Sequence, residues 1–393
     1  MSSPETSIPL WRDDRFWKVA LQILAVLVAI AVFSLLGHNL NVNLAREGKE
    51  LGFNFLGSQA SFAIGTDNLT GYDPSDPVKG TYFQVMLAGF VNTLRVVVLG
   101  IILTTILGIV AGAISFSENW LLRKISQIYV EIARNIPVLV QLLFWYLAVF
   151  AKFPRADERL SFFNIIYASK RGIYMPWPGE AGRFWICAII LIVGAIAAFF
   201  ILQWRTKLMV EGGQSGQPQA IALWVMAAIA FLILLFGLGW EFPSEPEEVG
   251  QIEGGLRLTL EFSALLVGLV FYTAAFVSEI VRAGIQSVAK GQWEAARALG
   301  LHSDLTMRLV VFPQALRVMI PSLNSQYQNL AKNSSLALAI AYPDIYSVSN
   351  TTFNQTGRPI EVMILVALTY LAMNAVITVG MNQLNRTVQL RER

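Results

Sequence analysis

Runs of apolar residues with almost no charge recur along the chain, near residues 16–36, 82–115, 123–150, 184–203, 220–240, 256–286, 309–333 and 360–385. A helix of about 20 residues crosses roughly 30 Å of hydrocarbon, so each run is predicted to be a membrane span, about eight in all. The run at 309–333 differs from the rest in being rich in Asn, Gln and Ser. Asn324, Gln328 and Lys332 follow one another at four-residue steps, as do Ser325, Asn329 and Asn333, with Ser334 just beyond. That spacing puts each set on one helical face, and the span is predicted to carry a broad polar stripe. Polar groups at membrane depth are costly and turn toward a cavity or a partner. The stripe is therefore a candidate wall for a solute path. The plainer alternative is packing on neighbouring helices, with Lys332 reaching up to the interface.

Composition supports the spans. Of 393 residues, 55% are hydrophobic and 14% charged, against about 25% charged in a soluble domain. The fold class is an all-α polytopic membrane protein. A net charge of +3 without a basic tail gives no case for nucleic acid. The lone Cys187 excludes an intrachain disulfide and a thiolate metal cluster, and His38 and His302 lack ligand spacing. The first apolar run follows a polar start and is longer than the core of a cleavable signal.

Lysine and arginine orient the spans. With the N-terminus inside, Arg12, Arg15, Lys18, Arg123, Lys124, Arg205, Lys207, Arg282, Lys290, Arg297, Arg308, Arg386, Arg391 and Arg393 all fall on the cytoplasmic side. Segment 241–255 on the other side has Glu241, Glu245, Glu247, Glu248 and Glu253 and no basic residue. Residues 151–183 run against the trend, with six basic residues outside. Spans four and five have flanks rich in Pro, Gly and charge. They read as a hairpin inserted into a bundle, and two crossings leave the remaining topology intact. Gly89-x3-Thr93-Leu94 and Gly255-x3-Thr259-Leu260 echo one another at span starts, which hints at a duplication.

Between spans six and seven lies Lys290-Gly-Gln-Trp-Glu294-Ala295-Ala296-Arg-Ala-Leu-Gly300-Leu301. Gly291 is placed for a sharp exit from the preceding helix, and Trp293–Leu299 are good helix formers. Glu294 suits a first helical turn. Gly300 suits a left-handed C-cap with Leu301 as its hydrophobic contact, and Ser303 or Asp304 can cap the next helix. A short rigid helix presenting alanines is predicted. Two charged clusters stand apart from it. Glu131 and Arg134 are three apart and able to pair; with Asn135 they precede Pro137, where a kink is expected. Glu279 and Arg282 repeat the pairing. The first cluster is a candidate gate, unless the two charges simply neutralise each other, and the second is a candidate brace for the short helix that follows.

Glu294-Ala295-Ala296, three residues, Gly300, nine residues and Val310-Val311-Phe312-Pro313 together resemble the Glu-Ala-Ala signature of ABC-importer permeases. Further pieces resemble the polar and general L-amino-acid uptake branch of that family. They are Gly89-x2-Asn92-Thr93-Leu94, Tyr129-x-Glu131-x2-Arg134-Asn135-x-Pro137, Glu279-x2-Arg282, and Arg317-x2-Ile320-Pro321 leading to Lys332-Asn333-Ser334-Ser335. The resemblance implies a type I (MetI-like) importer fold with a five-helix core. Its parts would be an N-terminal anchor and periplasmic loop (1–81), a first core segment (82–150), an inserted hairpin (151–255), a second core segment (256–386) and a tail (387–393). It implies docking of helix 292–301, through Glu294, Ala295, Ala296, Gly300 and Leu301, on a separate ATPase. The implied partners are an ATPase dimer, a second permease (a related chain rather than an identical copy), a periplasmic amino-acid-binding protein and the lipid bilayer. The implied place is the bacterial inner membrane, with both termini cytoplasmic. No cofactor is expected on this chain, and ATP and Mg belong to the ATPase. No lysine here is followed by Ser or Thr, as a Walker-type phosphate loop would need. A self-sufficient secondary transporter or channel for small polar solutes would suit the same spans. A membrane enzyme has no nucleophile, base or metal cluster in the sequence to support it.

Overall fold

The computed structural model describes residues 14–46, 51–65, 70–212, 215–244 and 252–388. Arg12, Arg391, Arg393, Glu245, Glu247 and Glu248, which entered the orientation reading, lie outside that set. In chain order the helices are α1 (Asp14–Arg46), α2 (Tyr82–Ile114), α3 (Trp120–Asn135), α4 (Val138–Phe144), α5 (Ala181–Gly212) and α6 (Gln217–Leu232). Then come α7 (Leu260–Gln286), α8 (Lys290–Ala298), α9 (Ser303–Thr306), α10 (Phe312–Asn333), α11 (Ile345–Thr356) and α12 (Pro359–Val388). Among the described residues, α1, α2, α5, α6, α7 and α12 are long and apolar enough to cross a membrane. The predicted third span is broken: α3 and the stretch 138–152 bend by 108°, and as a pair they count as one more span. The predicted seventh, α10, is too polar to qualify by composition, yet it packs between α7 and α12.

The bundle centres on α2 and α7, and small residues set how closely they approach. A Cβ on Gly108 would sit 2.4 Å from Val277 Cγ1, and one on Gly112 would sit 2.8 Å from Val281 Cβ. Two glycines four residues apart thus open a slot for two valines four residues apart, the small-residue packing that lets membrane helices touch where no hydrophobic drive exists. Gly284 does the same for α7 against α10, where Met319 fills the space a side chain would need.

Two features are absent from the predicted plan. The first is α11, a 12-residue helix too short to span. Asp344 caps it by accepting from Ser347 N at 2.8 Å. The second is a sheet. Strands β1 (Leu160–Phe162), β2 (Ile166–Ser169) and β3 (Gly172–Met175) form a meander in an otherwise helical chain. Beside β3 lies β6 (Leu256–Leu258), antiparallel, with Tyr174 opposite Arg257. A second, two-stranded pair joins β4 (Trp177–Pro178) to β5 (Trp240–Glu241) at the foot of the α5–α6 hairpin. Since β6 leads into α7 and α8 follows its far end, the basic segment 160–175 lies at the end of the bundle opposite α8.

Residues 51–65 are folded onto that same end. Phe55 is buried with Tyr82, Ile345 and Val362. Arg358 donates to the Gly52 carbonyl at 3.1 Å and to Glu361 Oε1 at 2.9 Å, and Glu361 is itself buried. The α5–α6 hairpin is closed by arginines from α5. Arg183 donates to the carbonyls of Gly237 and Phe236 at 2.7 and 3.1 Å, and Arg205 to that of Gly216 at 3.1 Å.

Two measurements check this packing. Gly108→Ala is expected to cost about 1–3 kcal/mol through overpacking against Val277, seen as a lower unfolding temperature in detergent. Gly380→Ala, with open space around it, is expected to leave that temperature unchanged or raise it. At Asp344, burial pushes the carboxyl up to about 6, despite its backbone hydrogen bonds. The folded state therefore holds the proton more tightly than the unfolded chain. The associated stabilisation is full below about pH 4 and lost as pH rises through about 6. Asp344→Asn keeps the cap acceptor, and is expected to raise the unfolding temperature relative to the native chain at pH 7 but not at pH 4.

Candidate functional site

Helix α8 is a surface helix fixed from one side. It starts at Lys290, after a turn at 287–289, so the exit from α7 is made before Gly291, whose own surroundings are open. Starting there, α8 has Glu294 in its second turn, not its first. The C-terminal cap follows expectation. Gly300 has φ +75°, its N–H donates to the Arg297 carbonyl at 2.9 Å, and Leu301 N–H donates to the Ala296 carbonyl at 3.1 Å. These are the paired bonds of a Schellman motif. The next helix begins at Ser303 itself, one of the two residues expected to cap it; the Asp304 side chain is outside the described set.

The alanines divide by face. Ala296 is 2% exposed, and Trp293, half-buried, packs against the buried cluster that includes Ile285, Val288, Val311 and Ala315. Gln314 of α10 donates to Gln292 Oε1 at 3.2 Å. Glu294, Ala295, Ala298 and Leu299 face outward, Leu299 at 80% exposure. An exposed leucine between alanines and a carboxylate is a surface with an unfilled apolar contact.

The polar stripe of α10 splits in the same way. Ser322, Ser325, Asn329 and Lys332 are exposed along one line, while Asn324 and Gln328 turn toward the bundle. Gln328 donates to Thr378 Oγ1 of α12 at 3.0 Å, and Asn324 Oδ1 is buried without a hydrogen bond among the described residues. Ser334 is fully buried, its hydroxyl on the Ala331 carbonyl at 2.7 Å, and Asn333 is half-buried. Gln328 thus ties α10 to α12, and the outward line is narrower than the predicted stripe.

Glu131 and Arg134 do not pair. Both are exposed, and the Arg134 guanidinium lies over the Phe276 ring at 5.4 Å. Asn135 Nδ2 donates to the Glu131 carbonyl at 2.8 Å. Glu279 and Arg282 do pair, with Arg282 Nε on Glu279 Oε2 at 3.0 Å and Nη1 on Gln286 at 3.0 Å. The two sequence clusters still meet. Arg134, Glu279, Ser322 and Gln326 line one cavity of about 200 Å³, at the α8 half of the bundle.

The sequence resemblance is matched by whole-chain relatives. A putative amino-acid ABC transporter permease of Escherichia coli (strain K12) is 41% identical over 377 residues, covering 95% of this chain and 94% of the relative. The chain belongs to the amino-acid ABC transporter permeases. A general L-amino acid transport system permease of Rhizobium johnstonii is 38% identical, covering 97% of this chain and 94% of the relative. A glutamate/glutamine/aspartate/asparagine transport system permease of Rhodobacter capsulatus is 37% identical, covering 97% and 96%. Residues 215–390 of this permease match the family described as binding-protein-dependent transport system inner membrane component. Among solved structures, an amino acid ABC transporter with histidines aligns at TM-score 0.47 and 20% identity, over 78% of this chain and 95% of that one. The assignment rests on the sequence relatives.

The permease also uses residues that spacing alone left without a role. Pro137 leaves the carbonyls of Ala133 and Ile136 without helical donors, and buried Gln141 donates to both at 2.7 and 2.8 Å. Its place four residues after the proline was the available signal. Asn92 Nδ2 donates to the Pro343 carbonyl at 3.0 Å, and Thr93 Oγ1 accepts from Ile345 N at 2.9 Å. Gly89 admits the backbone of Asp344 and Ile345, which a Cβ would meet at 3.1 Å. Thr259, its echo in the second segment, instead caps α7 by accepting from Phe262 N. The two segments hold different positions, and the duplication has no structural counterpart.

Proposed function

We propose that this multi-pass inner-membrane permease moves L-amino acids of polar or broad range from periplasm to cytoplasm, driven by an ATPase that docks on α8. The observation that carries the reading is the two-faced α8. Its inner face packs on the turn 307–311 that leads into α10, with Trp293 set against the cluster that α7 and α10 share, and its outer face offers Glu294, Ala295 and Leu299. A helix rigidly joined to two bundle helices transmits a push on its outer face to both. ATP and Mg are held by the ATPase, and this chain needs no cofactor. An ABC importer permease works with an ATPase and a binding protein. The further partner here is a related second permease, facing the outward line Ser325, Asn329 and Lys332 on α10. Both termini are cytoplasmic, which puts α8 inside and the sheet outside. Arg134 and Glu279 close the inner end of the path, and the Glu279–Arg282 pair braces α7 where it turns into α8. Hydrolysis belongs to the partner, so the chain is a transport subunit and not an enzyme.

Reconstituted alone with an ion gradient, the permease is expected to move no amino acid, and to do so once ATPase, binding protein and ATP are added. Gradient-driven uptake by the chain alone would instead make it a secondary transporter. Glu294→Lys is expected to lower ATP-driven uptake at least tenfold, roughly the effect of a like-charge or unpaired group at an interface, with the fold unchanged by circular dichroism. Lys332→Ala is expected to slow uptake of carboxylate-bearing substrates about fivefold, the loss of one charge-assisted contact. Full activity would remove Lys332 from the path.

A further inference from the structure

The end of the bundle opposite α8 holds a cavity of about 440 Å³, open on one side. It lies where three separate parts of the chain meet: loop 62–65, the sheet, and the starts of α7 and α11. Lys170, Arg171 and Arg257 line it, with Glu261 the one carboxylate among them. Ser347 and Thr351, one turn apart on α11, add hydroxyls to the wall. Its volume is that of a small-molecule site, about 300–1,000 Å³, and among the described residues its wall carries three cations and one carboxylate.

The charged groups are held, not merely near. Arg257 Nε donates to the Arg171 carbonyl at 2.8 Å, and its guanidinium lies over Tyr174 at 5.9 Å, which fixes the Arg257 side chain on the β3–β6 ladder. Tyr146 OH donates to Glu261 Oε1 at 3.4 Å from the α4 side. Lys170 sits just before the β3 strand, its backbone N–H on the Pro154 carbonyl at 2.8 Å, and its ammonium has no ion-pair partner among the described residues. Ala341, also in the wall, is kept at φ +60°. In that conformation it caps the helical turn 334–340 ahead of α11.

We propose that this cavity binds an α-amino acid that carries a second carboxylate, before it passes into the membrane path. The reading rests on amino-acid import by this permease and adds the substrate class favoured at its outer mouth. Glu261 takes the α-ammonium, and the three cations take the two carboxylates. An amino acid with a cationic side chain meets like charge at Lys170, Arg171 and Arg257, and is disfavoured. An uncharged side chain is accepted with one carboxylate paired and one cation left to solvent.

The complete importer, with its ATPase and binding protein in proteoliposomes, gives the test through initial uptake of labelled glutamate, glutamine and arginine below saturation. Lys170→Gln, a change at an exposed side chain, is expected to lower glutamate uptake about tenfold relative to glutamine, the weight of one charge-assisted hydrogen bond. Lys170→Arg is expected to restore the ratio. A glutamate-to-glutamine ratio equal to that of the native chain overturns the site, whether or not total uptake falls. A uniform fall that added binding protein reverses assigns Lys170 to docking instead, and overturns it as well. A native importer that carries glutamine but not glutamate does the same. Failure of the native importer to carry any amino acid would overturn the import reading beneath it.

Discussion

A backbone carbonyl or amide that loses its partner inside hydrocarbon costs several kcal/mol, because no water is present to replace it. Three departures from straight helix in this permease show the response to that cost. Where Pro137 breaks the third span, Gln141 reaches back to the two carbonyls the break exposes. Where the end of α6 loosens at 233–237, Arg183 arrives from α5 to donate to Phe236 and Gly237. Where the chain turns at 342–345, Asn92 and Thr93 supply a donor and an acceptor from the middle of α2. Each of these bends is thus held by polar side chains that replace the lost helical partners.

That dependence explains what could be read in the sequence and what could not. Apolar runs and turn residues report on neighbours a few positions away, so the spans, the Gly300 cap and the Glu279–Arg282 pair were legible. Span ends differed because helices continue past the apolar stretch, as α5 does to Gly212. The sheet was not legible. Its strands are three or four residues long, and β3 pairs with β6 about eighty residues away. Helix α11 was hidden by a polar composition, Ser-Val-Ser-Asn-Thr-Thr, that reads as loop until Asp344 caps it.

The site was legible in part for the same reason. Residues of the polar stripe could be put on one helix from their spacing, but which way each side chain turned depended on α12. Thr378 draws Gln328 inward, leaving Asn329 and Lys332 outside. Arg134 and Glu131 share a face, yet an aromatic ring on α7 competes for the arginine. Spacing identified the charges, and packing chose their partners.

Helix α7 is the element that both ends share. Its 27 residues make a rod about 40 Å long at 1.5 Å per residue. At one end it continues into α8, and at the other it is laced through β6 to the wall of the charged cavity. Between them, Val277 and Val281 rest in the glycine slot of α2. A rod resting on such a fulcrum cannot tilt at one end only. Displacement of α8 would swing β6, and Arg257 with it, in the opposite sense, so the two ends of the bundle share one mechanical coordinate.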